Sequence, residues 1–253
     1  MAEQILKPTE ALTEKIAVGD LQGDAGQLVV AQELDHLRTA IIERSSRGFL
    51  IKIIGRTKPV TGLYIYGGVG RGKTMLMDMF YSSLLHCNNG PTVWRLHFHD
   101  FMILAQDLIH AAREAGKADP ISEAGMQLAS RGQVLCFDEM EVCNIADAMI
   151  VSRLFTTIFD EGVTLVATSN RHADDLYKDG LQRDRFLPFI AMLKKRCKLV
   201  EIAEGQDWRG LVLADMQAWY TPDDIHAAAA LEEAFDALRG DAEPTKDVLR
   251  VAG

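Results

Sequence analysis

An α/β fold, with a parallel five-stranded sheet covered by helices on both faces, is predicted by three observations. Short apolar runs at 63–66, 93–98, 133–137, 164–168 and 198–202 alternate with amphipathic stretches at about 73–86, 100–115, 121–130, 146–160 and 184–195. The runs are apolar at successive positions rather than at every second one, as strands buried on both faces must be. Each gap between runs is long enough for the crossover that parallel pairing needs.

The flanks are less regular. Residues 1–23 are polar, contain Pro8 and several Gly and Asp, and read as an irregular segment. Residues 24–44 read as a helix starting near Asp24, with Leu28, Ala31, Leu34, Leu37 and Ile41 on one stripe. A short helix is expected over 46–54, then a turn-rich approach to the first strand. After Ile202 the pattern weakens: 211–220 is ambiguous, and Thr221 with Pro222 opens a helix running to about Arg239. The expected organisation is an N-terminal segment 1–23, a core with its N-terminal helices at 24–202, and an acidic C-terminal extension at 203–253.

Composition excludes several classes. The 253 residues are 48% hydrophobic and 25% charged, enough to fill one large core and too apolar for general disorder. No apolar run approaches the ~18 residues that span a bilayer, and the N-terminus has neither a signal core nor a transit pattern. A cytoplasmic protein without an intrinsic membrane anchor is expected. The four cysteines are scattered, with no C-x-x-C pair, which suggests a reducing compartment and argues against a zinc site or disulfide framework. Lys and Arg number 27 against 36 Asp and Glu, a net charge of −9. Residues 203–253 carry −7 of it, so general nucleic-acid binding is not favoured, although a local basic groove remains compatible.

The strongest chemical signal is Gly67-Gly68-Val69-Gly70-Arg71-Gly72-Lys73-Thr74, which satisfies G-x-x-x-x-G-K-[ST] between an apolar strand and an amphipathic helix. Glycines let backbone N–H groups approach phosphates without side-chain clash, and the following helix turns its positive end to the same anion. Lys73 can reach the β- and γ-phosphates of ATP, and Thr74 can place its hydroxyl on Mg²⁺. The alternative is a glycine-rich turn ahead of a helix.

The strand at 133–137 ends in Asp138-Glu139. After a phosphate loop, Asp138 is read as holding the Mg²⁺ shell and Glu139 as orienting and deprotonating the attacking water. Such carboxylates belong at the C-terminal edge of an open sheet, where ligands bind. Taken alone, the pair would read as caps of a strand-to-helix turn. The next strand ends in Ser169-Asn170. Asn170 can hold the nucleophilic water or the γ-phosphate, or it can cap the turn into 173–178. His97, His99 and Asp100 suggest a metal site, and two residues apart on a strand would put both rings on one face. No third and fourth ligand accompany them, so a structural or phosphate-proximal role is preferred. Met75, Met77, Met79 and Met102 read as core or interface residues.

A phosphate loop, a D-E strand end and an S-N strand end, in this order, resemble the AAA+ class of P-loop ATPases. The segments GLYIYGGVGRGKTMLMDMFY, RLHFHDFM, LCFDEMEVCNIADAMIVSRLF and TLVATSNRHADDLYKDGLQRDRFLPFI closely resemble the ZapE family, over about residues 24–222. That family comprises bacterial cell-division ATPases and mitochondrial relatives associated with the inner membrane. The resemblance implies an ATPase using ATP and Mg²⁺, a homo-oligomer, and a protein partner such as the FtsZ division ring. It assigns catalytic roles to Lys73, Glu139 and Asn170, and places a trans-acting arginine finger at Arg183, with Arg185 as the next candidate. The alternative for Arg183 is a solvated arginine paired with Asp184 or Asp179. The basic run 194–198 reads as a solvated helix end. Family members continue through a helical lid, which is expected to be partial or missing here, as in a fragment, a short form or a decayed copy. Two competing functions follow: a nucleic-acid-acting ATPase of the helicase-loader kind, and a truncated nucleotide-binding module without turnover.

Overall fold

The computed structural model describes residues 6–51, 59–87 and 90–202. Five strands form one sheet: β1 (Gly62–Tyr66), β2 (Val93–His97), β3 (Val134–Asp138), β4 (Thr164–Ser169) and β5 (Cys197–Glu201). All pair in parallel, in the order β2-β3-β4-β1-β5. The register sets Tyr66 beside Ser169 and His97 beside Asp138, so the strands end nearly level. The predicted five-stranded parallel sheet is present.

Alternation along each strand divides two cores. Tyr64, Leu135, Phe137, Leu165 and Ala167 face one side, where they pack with α4 (Phe98–Glu114), α5 (Pro120–Ala129), α6 (Ile145–Asp160) and α7 (Leu187–Arg196). Leu63, Ile65, Val134, Cys136 and Val166 face the other, against α1 (Pro8–Ala17), α2 (Ala25–Ile51) and α3 (Lys73–Leu85). Two buried faces explain the unbroken apolar runs of the central strands β1, β3 and β4, while the edge strands β2 and β5 carry Arg95, Lys198 and Glu201. On the first side Phe101, Phe137 and Phe155 pack mutually, with ring centroids 4.9–5.6 Å apart. Such contacts fix the inner end of β3 just below its acidic terminus.

Three expectations need correction. The segment 1–23 is not wholly irregular, because α1 occupies Pro8–Ala17. Pro8 stands at the first helical position, where its missing N–H and fixed φ fit, so it opens a helix rather than breaking one. Leu12 is fully buried, and the Thr9 amide donates to Asp35 on α2 at 3.3 Å. The two helices expected over 24–44 and 46–54 are one, α2, and its buried stripe is Gln27, Val30, Ala31, Leu34, Leu37 and Ile41. Leu28 lies about 100° off that stripe and is exposed. The strand expected over 93–98 stops at His97, which caps α4, so His97 and His99 do not share a strand face. The expected extension 203–253, with its helix at 222–239, lies outside the described residues, as does the end of the helix expected over 46–54.

The docking of α1 predicts that Leu12→Ala costs about 2–4 kcal/mol of unfolding free energy. Leu28→Ala should cost under about 0.5 kcal/mol. Urea unfolding of both variants beside the wild type measures the difference.

Candidate active site

β1 delivers the chain into the loop 67–72, and Gly72, with φ 79°, caps α3. A Cβ on Gly72 would lie 2.9 Å from Nε2 of Gln27, and one on Gly67, at φ 152°, 2.8 Å from the Ile202 carbonyl oxygen. The φ favours glycine at both positions, and at Gly67 the backbone oxygen also leaves no room for a Cβ. The amides of Lys73, Thr74 and Met75 have no acceptor within their helix and, with the helix dipole, face an anion. Lys73 is almost buried and donates to the carbonyls of Gly67 at 2.7 Å and Gly68 at 2.6 Å, which holds its ammonium over the loop. Gln27 braces the loop from α2, donating through Nε2 to the Arg71 carbonyl at 3.1 Å. Nη1 of Arg71 is buried without a partner, a further donor at the loop. Gly68 and Val69 form its exposed tip, and Gly70 also takes a positive φ. This is an anion cradle, and it fits the phosphates of a nucleotide.

β4 lies between β1 and β3, so the ends of these three strands form one edge. Asp138 ends β3 with 0% exposure. Its Oδ2 accepts from Nε of Arg95 on β2, and its Oδ1 from the Thr168 hydroxyl at 3.4 Å. Arg95 also donates to Asp78 on α3. Burial alone would lower the Arg95 pKa, but the hydrogen bonds and charges of Asp138 and Asp78 outweigh it and raise it. The Thr168 hydroxyl accepts the Glu139 amide at 3.0 Å. Glu139 takes φ 52°, a left-handed conformation that a non-glycine residue adopts only when its surroundings impose it. The kink turns its carboxylate out of the strand path into solvent, while Asp138 stays inside. Thr74 is exposed, and its hydroxyl makes no side-chain hydrogen bond among the described residues. The Thr74 hydroxyl and the Asp138 carboxylate are oxygen donors of the type Mg²⁺ takes, Asp138 being engaged here by Arg95 and Thr168.

Asn170 follows β4 and is exposed. The turn after it is capped by His172, whose Nδ1 accepts the Asp174 amide at 3.2 Å, so Asn170 is not spent on capping. Likewise Asn144 caps α6, leaving Asp138 and Glu139 free of that duty. Glu139 and Asn170 open together into a cleft of about 440 Å³, lined also by His97, His99, Cys143 and Arg171. His99 stands on the first turn of α4, and among the described residues no group of three or more His, Cys, Asp or Glu is placed to hold a metal.

The two arginines expected as fingers differ. Arg183 donates to the backbone carbonyl of Asp174 and is half-buried, pairing with neither Asp184 nor Asp179. Arg185 is exposed and its side chain makes no hydrogen bond or ion pair among the described residues. The basic run 194–198 does end α7, with Lys194, Lys195 and Arg196 in the last turn and Lys194, Lys195 and Lys198 exposed, as expected. Cys197 is buried on β5, while Lys194 pairs with Asp174 at 2.9 Å and Lys198 with Glu33 at 2.7 Å. Sequence reasoning missed Arg95, Thr168 and Gln27. The available signals were a charge inside an apolar strand, a hydroxyl at a strand end, and an amide on an apolar helical stripe.

The profile of the AFG1-like ATPase family matches residues 6–253. The chain belongs to the AFG1-like ATPase family. It is 40% identical over 193 residues to the cell division protein ZapE of Escherichia coli K12, covering 76% of this chain and 50% of that protein. It is 45% identical over 160 residues to lactation elevated protein 1 homolog B of Danio rerio, covering 60% of this chain and 31% of that one. The chain thus spans about half the length of the ZapE it matches. AMPPCP-bound DnaA from Aquifex aeolicus superposes with a TM-score of 0.50 at 16% identity, over 89% of this chain and 66% of DnaA. DnaA bound to AMPPCP and single-stranded DNA gives 0.51 at 14% identity, over 87% of this chain and 62% of that one. The fold is that of the P-loop AAA+ proteins.

Because Thr168 serves both Asp138 and the Glu139 amide, Thr168→Val should cost about 1–3 kcal/mol of stability. Thr74→Val, at an exposed hydroxyl, should stay within about 0.5 kcal/mol. Chemical denaturation of the two variants measures the contrast.

Proposed function

We propose that this chain is a Mg²⁺-dependent ATPase core that hydrolyses ATP between its own strand edge and a neighbouring copy, and works on a protein partner. The observation that carries the reading is the edge itself. The lysine-bearing loop, buried Asp138, outward-turned Glu139 and uncommitted Asn170 end three adjacent strands. The loop amides and Lys73 bind the β- and γ-phosphates. Thr74 and Asp138 would hold Mg²⁺, which would neutralise phosphate charge. Glu139 orients water and accepts its proton as the water oxygen bonds to the γ-phosphorus and the bridging bond to the β-phosphate breaks. Asn170 holds the water or the γ-phosphate from the neighbouring strand. ATP becomes ADP and phosphate.

A trans-acting arginine must be extended from its own subunit. Arg183 is folded onto the Asp174 carbonyl, whereas Arg185 is exposed, which favours Arg185 over Arg183 as the finger. The cleft beside Glu139 and Asn170 offers such a side chain room. The partner is proposed to be a protein of the division ring, such as FtsZ, in line with the 40% identity to a cell division protein. No helix among the described residues is long and apolar enough to cross a membrane, in keeping with a cytoplasmic setting.

Steady-state ATPase rate against protein concentration tests the shared site. Specific activity should rise with concentration, and Lys73→Ala should abolish it. Arg185→Ala should reduce kcat by about 10³-fold or more, and Arg183→Ala far less. Mixing Arg185→Ala with Glu139→Gln should restore part of the rate, because one supplies an intact site and the other an intact finger. A concentration-independent rate with no restoration contradicts the shared site. ATP binding with no turnover at any concentration would make the chain a nucleotide-binding module.

A further inference from the structure

Resting on the ATP and Mg²⁺ reading above, we propose that Arg95 is a positioning residue that gates Asp138. It holds the carboxylate inside the sheet edge and yields toward Asp78 before Asp138 can serve a magnesium shell. The argument starts from access. Asp138 has 0% exposure, and both of its oxygens are engaged, Oδ2 by Arg95 and Oδ1 by Thr168 at 3.4 Å. Each oxygen keeps a lone pair to spare, but with no exposed surface the carboxylate can be reached only when a neighbour moves.

The two partners are not equally free to leave. Thr168 lies on β4, between β3 and β1, is itself 0% exposed, and also holds the Glu139 amide at 3.0 Å. Releasing it would also take the acceptor from the part-buried Glu139 amide, which supports the kink that turns Glu139 outward. Arg95 has a long side chain, 20% exposed, whose Nη1 already bonds Asp78, a carboxylate with 57% of its side chain exposed. The Tyr81 ring lies 5.9 Å from its Cζ and supports the guanidinium on the same side. Rotation of the outer torsions therefore moves the guanidinium away from Asp138 without leaving its charge unpaired.

Asp78 is also well placed to receive it. It follows Thr74 by four residues on α3, so the two share one helix face. The guanidinium thus sits between the two elements that carry Thr74 and Asp138. A guanidinium and a dication placed side by side repel, so Arg95 and Mg²⁺ compete for the same negative charge. Asp78 draws Arg95 off and so favours the metal.

The test is a Mg²⁺ titration of the full chain with AMPPCP, read as the thermal unfolding midpoint and as displacement of a fluorescent ATP analogue. Neither readout requires turnover. Arg95→Gln should lower the half-saturating Mg²⁺ by about 5-fold or more, and Asp78→Asn should raise it by a similar factor. AMPPCP affinity in EDTA should be unchanged in both. In the Arg95→Gln background, Asp78→Asn should have almost no further effect, because Asp78 acts through Arg95. A purely structural role would lower the unfolding midpoint of the protein alone and leave the Mg²⁺ midpoint where it was. Wild type that responds to Mg²⁺ while the variants match it, or shift in the same direction, overturns the gate and leaves the ATPase reading standing. Wild type that binds AMPPCP with no Mg²⁺ response overturns both. Should Arg95→Gln fail to fold, an unchanged midpoint in the exposed variant Asp78→Asn overturns the gate alone.

Discussion

A carboxylate with no exposed surface, Asp138, is held at the end of β3 by a guanidinium on one oxygen and a hydroxyl on the other. A buried charge without such partners would cost several kcal/mol (on the order of 3–5 when one partner is removed). Arg95 and Thr168 offset that cost, and each has a second task. Arg95 ties the sheet edge to α3 through Asp78, and Thr168 fixes the Glu139 amide. The position of Asp138, the outward turn of Glu139 and the seating of the helix behind the phosphate loop thus depend on one small polar network. Networks of this kind are not additive, because each member satisfies two others.

Sheet order makes that network a site. With all strands parallel, every C-terminal end lies on one edge, and the order β2-β3-β4-β1-β5 seats β4 between the acid-bearing and loop-bearing strands. Asn170 then emerges between Asp138 and the loop without further adjustment. The packing beneath is rigid where precision is needed. Phe137, one residue before Asp138, contacts the rings of Phe101 and Phe155, and Cys136 fills the opposite core. On the α2 side, Gln27 holds the Arg71 carbonyl, so the phosphate loop is braced by a helical residue 44 positions earlier in the chain.

The strands and the loop were legible because their signals are local. A run apolar at successive positions admits few environments other than a sheet covered on both faces, and the glycine spacing at 67–72 serves a single backbone shape. What escaped depended on tertiary context. Pro8 looks like a breaker until its place at the first turn of α1 is known. Leu28 and Gln27 differ by one position, and only packing against α3 and the loop puts the amide inside and the leucine out. The β2-to-α4 junction lacks a turn residue, so the strand was read one residue too long. Arg95 stood in plain view as a charge in an apolar strand, yet its partners come from two other elements 17 and 43 residues away. The surroundings of Arg183 and Arg185 diverge because the Asp174 carbonyl captures one of them, a contact no spacing rule encodes.

Family membership and sheet order give an AFG1-like ATPase with the P-loop AAA+ fold; the proposed function rests on a division of labour between adjacent carboxylates, Asp138 inside and Glu139 outside. The direct test is a single-turnover measurement of phosphate release from ATP with Mg²⁺, at protein in excess over nucleotide, for wild type and Glu139→Gln. The account predicts equal nucleotide affinity and a cleavage rate at least about 10²-fold lower in the variant. Equal cleavage rates in the two proteins would contradict it, because the water would then be activated by some group other than the acid that the Thr168 hydroxyl turns outward.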